Sequence, residues 1–223
     1  MNKIGDLVKR EILNPTIDIG ADYSNIAIDS ITDKEILGEI PFVKTIVAGT
    51  NIALAIKERH FVKKLVNFLT ELHSGEIDQK KFDKFKEKLE LNPTFQEKVT
   101  ETITVMVDRH IAVEQSKVLA NLLRSHINGN IDWTRFNTLC ILLDRLHPEA
   151  YKTLNNMALG TNENLSYSYH TTIMNSHQGE NYFNHEEEAF LLSSGLITTY
   201  GTSYRVTPLG KDLFKYGILP LFR

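Results

Sequence analysis

Cysteine is nearly absent: Cys140 is the only one among 223 residues. No disulfide can form within the chain, so stability must come from a packed interior, and a reducing, cytoplasmic setting is expected. Cys140 lies in TLCILLDRL, an apolar helical pattern, and reads as a buried thiol rather than a nucleophile. An excess of one charge sign is also missing. Lys plus Arg number 25 against 28 Asp plus Glu, a net charge of −3. That balance argues against a protein held to phosphate by bulk charge and leaves room for one local basic face. The glycine loops that cradle phosphates, GxGxxG and GxxxxGK[ST], do not occur, and neither does the GxSxG nucleophile elbow. Eight histidines are scattered, with no HxxxH pair and no cysteine partners. The closest group, His170, His177 and His185 with Glu180 between them, has spacings that no familiar zinc site uses. No cofactor, no metal and no enzymatic activity are expected.

Long apolar runs are scarce as well. The opening residues MNKIGDLVKREIL are amphipathic and lack the continuous apolar stretch of a secretory leader. The longest apolar run is Ile40–Ile56, IPFVKTIVAGTNIALAI, interrupted by Lys44, Thr45, Thr50 and Asn51. It falls at the short edge of the roughly 17–25 residues that a spanning helix needs. It reads as a buried core helix, and its small-residue face of Ala48, Gly49, Ala53 and Ala55 suits close helix packing.

What is present is helical periodicity. Apolar residues make up 42% and charged residues 24%, ordinary for a globular protein. Residues 3–13 carry Ile4, Leu7, Val8 and Ile12 on one stripe, and Asn14-Pro15 ends it. Residues 16–32 have no clear period. From Asp33 the pattern is nearly all helical to about Leu159. A helix opens near Pro41, and another spans about Arg59–His73, with Phe61, Leu65, Phe68, Leu69 and Leu72 on one side and Lys57, Arg59, Lys63 and Lys64 on or near the other. Asp78 caps QKKFDKFKEKLEL, Asn92-Pro93 starts the next helix, and a register shift at Asp108-Arg109-His110 divides two helices. Asn128-Gly129 is a stop, Asp132 opens WTRFNTLCILLDRL, and His147-Pro148 breaks it before EAYKTLNNMAL. Short connections predict antiparallel neighbours and a bundle.

Residues 160–183 turn polar, with a short strand expected around Leu165, Tyr167 and Tyr169. Beyond them the order is helix, Gly195 stop, two short strands joined by Gly201-Thr202-Ser203, then Thr207-Pro208 opening a last helix. That order is the helix–wing–helix end of a winged-helix module. In the helix before the wing, Ala189, Phe190, Leu191 and Leu192 are expected to pack inward. The fold class predicted is mainly α: an N-terminal lead-in over 1–32, a helical bundle over 33–159, and a polar loop plus winged-helix-like α+β subdomain with one β-hairpin over 160–223.

Two sets of cations stand out as contact candidates. Arg205, Lys211 and Lys215 belong to the wing and the last helix. Lys80, Lys81, Lys84 and Lys88 form the densest basic run, but Asp83, Glu87 and Glu90 interleave with it, so a solvated face is the plainer reading. A DNA-reading winged helix presents the start of its recognition helix to the groove. Here that end carries Glu186, Glu187 and Glu188, which would oppose phosphates.

The stretch FNTLCILLDRLHPEAYKTL, a polar insert, and LLSSGLITTYGTSYRVTPLGKDLF together resemble the C-terminal half of the Abi-alpha family of bacterial proteins, over residues 131–216. The resemblance implies a link to abortive infection, a phage-defence response, and carries over no catalytic residues. The segment IPFVKTIVAGTNIALAIKERHFVKKLVNF looks like a helical pair found in small bacterial proteins. The function expected is therefore a non-enzymatic bacterial or phage interaction or regulatory protein, with a protein partner or a second copy of itself. One alternative is a winged-helix DNA-binding regulator. The other is a membrane-associating effector using residues 40–56, in which Lys57, Arg59, Lys63 and Lys64 meet lipid head groups.

Overall fold

The computed structural model describes residues 3–13, 56–160, 167–168, 185–200 and 203–222. Among them the chain is mainly helical, with a small antiparallel hairpin near its C-terminal end. The expectations for residues 14–55, including the apolar run up to its last residue, and for nearly all of the polar stretch 161–184 lie outside the described residues. The chain divides into two compact units, Met1–Asp132 and Trp133–Arg223. The helical pattern grouped residues 133–159 with the preceding bundle. Their contacts instead group them with the C-terminal elements, because periodicity reports which face is apolar and not which neighbour covers it.

The first unit holds α1 (Lys3–Leu13), α2 (Ile56–Ser74), α3 (Gln79–Leu91), α4 (Pro93–Arg109) and α5 (Val113–Ile127). Local chemistry sets these limits. Asp78 accepts the Lys81 N–H at 3.1 Å and opens α3. Asn92 closes α3 by donating its own N–H to the Lys88 carbonyl at 3.1 Å, and opens α4 by accepting the Phe95 N–H at 3.0 Å. Between α4 and α5 the Gln115 side chain accepts the N–H groups of Ile111 and Ala112, at 3.0 and 3.1 Å. Gly129, at φ +70°, stops α5 in the left-handed region that favours glycine.

The core of this unit is built on Leu65, Phe68, Leu72, Ile103, Leu119 and Leu122, all fully enclosed. The apolar stripe of α1 buries Val8, Ile12 and Leu13, and α1 packs on α4. The most extensive helix pair is α2 with α5, and these two run in the same direction. His60 meets the Ile111 carbonyl at their starts, whereas Glu71 and Glu76 meet Arg124 and Asn128 at their ends. Short connections predict antiparallel order for consecutive helices; among the described residues the most extensive pair is a parallel one between helices that are not consecutive.

Helix C-termini in this unit are completed by side chains from elsewhere in the chain. Lys64 donates to the Asp108 and His110 carbonyls, at 2.8 and 2.5 Å, at the end of α4. Arg124 donates to the Glu71 carbonyl at 2.6 Å, at the end of α2. One ring nitrogen of His73 meets the Glu11 carbonyl at 3.1 Å near the end of α1. Lys81 donates to the Asn128 carbonyl at 2.5 Å after α5. The Lys and Arg side chains set positive charge against the negative end of the helix dipole, and all four groups satisfy carbonyls near helix ends.

The second unit holds α6 (Trp133–Arg145), α7 (Ala150–Gly160), β1 (Tyr167–Ser168), α8 (His185–Ser193), β2 (Ile197–Tyr200), β3 (Ser203–Val206) and α9 (Pro208–Leu213). The chain continues from α9 through a π-helical turn, Phe214–Ile218, into a 3₁₀ turn, Leu219–Phe222. The strands form an antiparallel sheet in the order β1-β3-β2, with Ile197 opposite Val206 and Tyr167 opposite Tyr204. Gly195, at φ +72°, ends α8, and Thr207 accepts the Gly210 N–H at 3.1 Å to start α9. Gly210 lies so close to the Leu196 carbonyl that a Cβ there would collide with it. Leu154, Leu191, Leu196, Ile197, Leu213 and Ile218 are buried here, and α7 packs on α8, β3 and the π-helical turn.

Candidate functional site

The start of α8 differs from what its sequence led us to expect. Glu186 is exposed, but Glu187 accepts a hydrogen bond from the Thr153 hydroxyl of α7, and Glu188 is buried. Thus Glu186 alone of the three is exposed to solvent, Glu187 is half-buried and bonded to Thr153, and Glu188 is enclosed. Two are drawn inward because α7 packs directly against this end of α8. Ala189 and Phe190 were expected inside together with Leu191 and Leu192. Leu191 is buried and Leu192 partly so, whereas Ala189 is exposed and Phe190 keeps 45% of its surface in solvent. On a helix of 3.6 residues per turn a continuous run of four apolar residues cannot all face one way.

The outward stripe of α8 is therefore Glu186, Ala189, Phe190 and Ser193, and the helix contains no Lys or Arg. The Phe190 ring stacks on His147, with centroids 6.4 Å apart and planes at 23°. His147 in turn lies 3.6 Å from the Glu149 carboxylate. The result is an aromatic pair on the surface with polar groups at its edges.

The cations of the same unit are also outward. Arg205 is exposed on β3, opposite Thr198 in register. Lys211 and Lys215 are exposed one turn apart, and the Lys215 ammonium lies 5.0 Å from the Tyr216 ring. Asp212, the carboxylate between them, is engaged by Arg135 at 2.7 Å.

The other basic run belongs to the first unit. Lys80, Lys81, Lys84 and Lys88 are all exposed on α3. Two of them have structural contacts: Lys81 with the Asn128 carbonyl, and Lys88 over the Phe95 ring at 4.1 Å. Asp83 is hydrogen-bonded by Gln79 at 2.8 Å. Two members of this run are thus spent on the fold of their own unit.

Sequence reasoning missed a polar seam in the interior of the first unit. Lys64, placed on or near the solvent side of its helix by the pattern, is 2% exposed. His110 is equally enclosed, and one of its ring nitrogens meets the Ser116 hydroxyl at 3.3 Å. Burial, and then the nearby charges of Lys64 and Arg109, push the His110 imidazole down to a pKa of about 3, so the ring is neutral at physiological pH. A signal for this seam was available. His60, Lys64, Asn67 and Glu71 recur at helical spacing, a polar stripe that runs between apolar ones on α2.

Cys140 is buried, and burial pushes its thiol well above the usual cysteine range, which leaves it inert as a nucleophile. Among the described residues no group of three or more His, Cys, Asp or Glu side chains is placed to hold a metal ion. His170, His177 and Glu180 lie outside those residues. Among the described residues, too, no helix is long and apolar enough to cross a membrane. No family model matches this chain, and no curated protein or solved structure does so either.

Proposed function

We propose that the chain is a non-enzymatic, cytoplasmic interaction protein whose C-terminal unit is a winged-helix-like module turned to protein contact. One observation carries this reading: the outward stripe of α8 is apolar and acidic, with a half-exposed Phe190 at its centre and no cation. A helix that reads a duplex needs side chains able to neutralise phosphates or donate to base edges. An exposed aromatic residue with a polar rim is what protein interfaces favour at their centres. The strand order supports the winged-helix-like reading, since an edge strand from before the helix pairs with the second strand of the hairpin. The resemblance of residues 131–216 adds phage defence as the process served.

The test combines a mobility shift on random duplex DNA at low salt with partner capture by the wild-type protein and by Phe190→Asp. The expected result is no shift, capture by the wild type, loss of capture by the variant, and an unchanged melting temperature. Turnover of a nucleotide or nucleic acid by the purified protein would overturn the reading.

A DNA-binding role is the second reading, and a specific observation favours it. With Glu187 and Glu188 drawn inward and Asp212 engaged by Arg135, fewer carboxylates oppose the exposed Arg205, Lys211 and Lys215. Under that reading duplex binding appears at low salt, fades as salt rises, and weakens on Arg205→Ala or Lys211→Ala.

A further inference from the structure

The chain contains one Asn-Gly step, Asn128-Gly129, at the corner where the end of α5 meets the connection between α2 and α3. Asparagine before glycine is the pair most prone to lose its side-chain amide, because glycine leaves its own backbone nitrogen unshielded. The Asn128 side chain is also what closes this corner. Its Oδ1 accepts the Asp78 N–H and its Nδ2 donates to the Glu76 carbonyl, each at 3.0 Å. Its backbone carbonyl accepts from Lys81.

We propose that Asn128-Gly129 is a deamidation site whose reaction is governed by opening of this corner, and whose product in turn unlocks the corner. In the reaction the Gly129 nitrogen attacks Asn128 Cγ. The new C–N bond closes a five-membered imide, the Cγ–Nδ2 bond breaks, and ammonia leaves with the proton given up by the Gly129 N–H. Water then opens the imide at either carbonyl, which leaves aspartate or isoaspartate and returns a proton to the nitrogen.

Three features of the closed corner oppose the attack. The Gly129 N–H is held by the His126 carbonyl at 2.9 Å, so the nucleophile is engaged. Both ends of the Asn128 amide are fixed by the connection it bridges. Its ψ of −1° eclipses the Gly129 nitrogen with Asn128's own amide nitrogen, whereas ring closure needs it eclipsed with Cβ. The chemistry therefore waits for local opening.

The product changes the corner irreversibly. A carboxylate at 128 retains an acceptor for the Asp78 N–H but has no proton for the Glu76 carbonyl, so two acceptors face each other where a hydrogen bond stood. Isoaspartate also lengthens the backbone by one carbon.

The experiment follows deamidation at residue 128 by peptide mapping of the full chain in mildly alkaline buffer, folded and in urea. The folded protein should react slower by at least about tenfold, because reaction proceeds only through the open corner. Asp78→Ala, which removes the cap of α3 beside the bridge, should raise the folded rate several-fold. Equal rates in buffer and urea would overturn the gating. Thermal melting of Asn128→Asp tests the second half: a lowered midpoint supports it, and a midpoint equal to that of the wild type overturns it.

Discussion

An ammonium enclosed in a protein is costly unless its protons find acceptors. Lys64 meets that requirement with two carbonyls that α4 cannot satisfy for itself. Lys64→Met fills similar space without a donor. It should cost about 2–4 kcal/mol, the sum of two carbonyls left dry, seen as a lower urea midpoint with an unchanged slope. Two glycines give a contrast at the same scale. A Cβ at Gly210 would strike the Leu196 backbone carbonyl, which cannot move without disturbing the hairpin. A Cβ at Gly75 would strike the guanidinium of Arg124, the far end of a flexible side chain. Gly210→Ala should therefore destabilise by more than about 2 kcal/mol and Gly75→Ala by about 1 kcal/mol, compared by thermal melts of the two variants.

Among the elements, what was legible was whatever depends on neighbours in sequence. Asp78, Asn92, Gly129, Gly195 and Thr207 mark the ends they were expected to mark, because a cap acts within three or four residues. Asn92 serves two helices at once, and Asn92→Ala should cost about 1 kcal/mol, with hydrogen exchange rising at the end of α3 and at the start of α4. The orientation of α8 was less legible. Its apolar run is too short to declare a face, and the placement of Glu187 depends on Thr153, 34 residues earlier. The candidate cations are exposed, but nothing in their spacing indicates that Lys81 and Lys88 are engaged by Asn128 and Phe95. The parallel pairing of α2 with α5 was not legible at all, since periodicity is blind to direction.

For the molecule as a whole, pH is the most direct probe of the buried polar groups. His73, His110 and His126 all belong to the first unit, and burial lowers the pKa of each below the ordinary 6.5, for His110 to about 3. Above pH 6.5 these rings are neutral in both folded and unfolded chains, and their contribution to stability is complete. As pH falls from 6.5 toward 3, the unfolded chain takes up protons that the folded one refuses, so stability is lost across that window. The loss from His110 alone is on the order of a few kcal/mol. Urea midpoints measured from pH 7 down to pH 4 should fall, and His110→Gln should flatten the slope.

The helix ends of the first unit are finished by residues far along the chain, and this has a consequence for how the protein is made. The Glu71 carbonyl accepts from the nearby Ser74 hydroxyl at 3.0 Å, and its charged donor, Arg124, comes 53 positions later. Ribosomes add about 5–20 residues per second, so α2 lacks its cationic donor for roughly 3–10 s before Arg124 has been synthesised. Asp108 and His110 are in the opposite position, since Lys64 is already there when α4 emerges. Synthesis thus delivers one lock before its key and the other key before its lock. A released fragment ending between residues 110 and 124 would keep the Lys64 contacts at the end of α4 and lack the Arg124 contact at the end of α2.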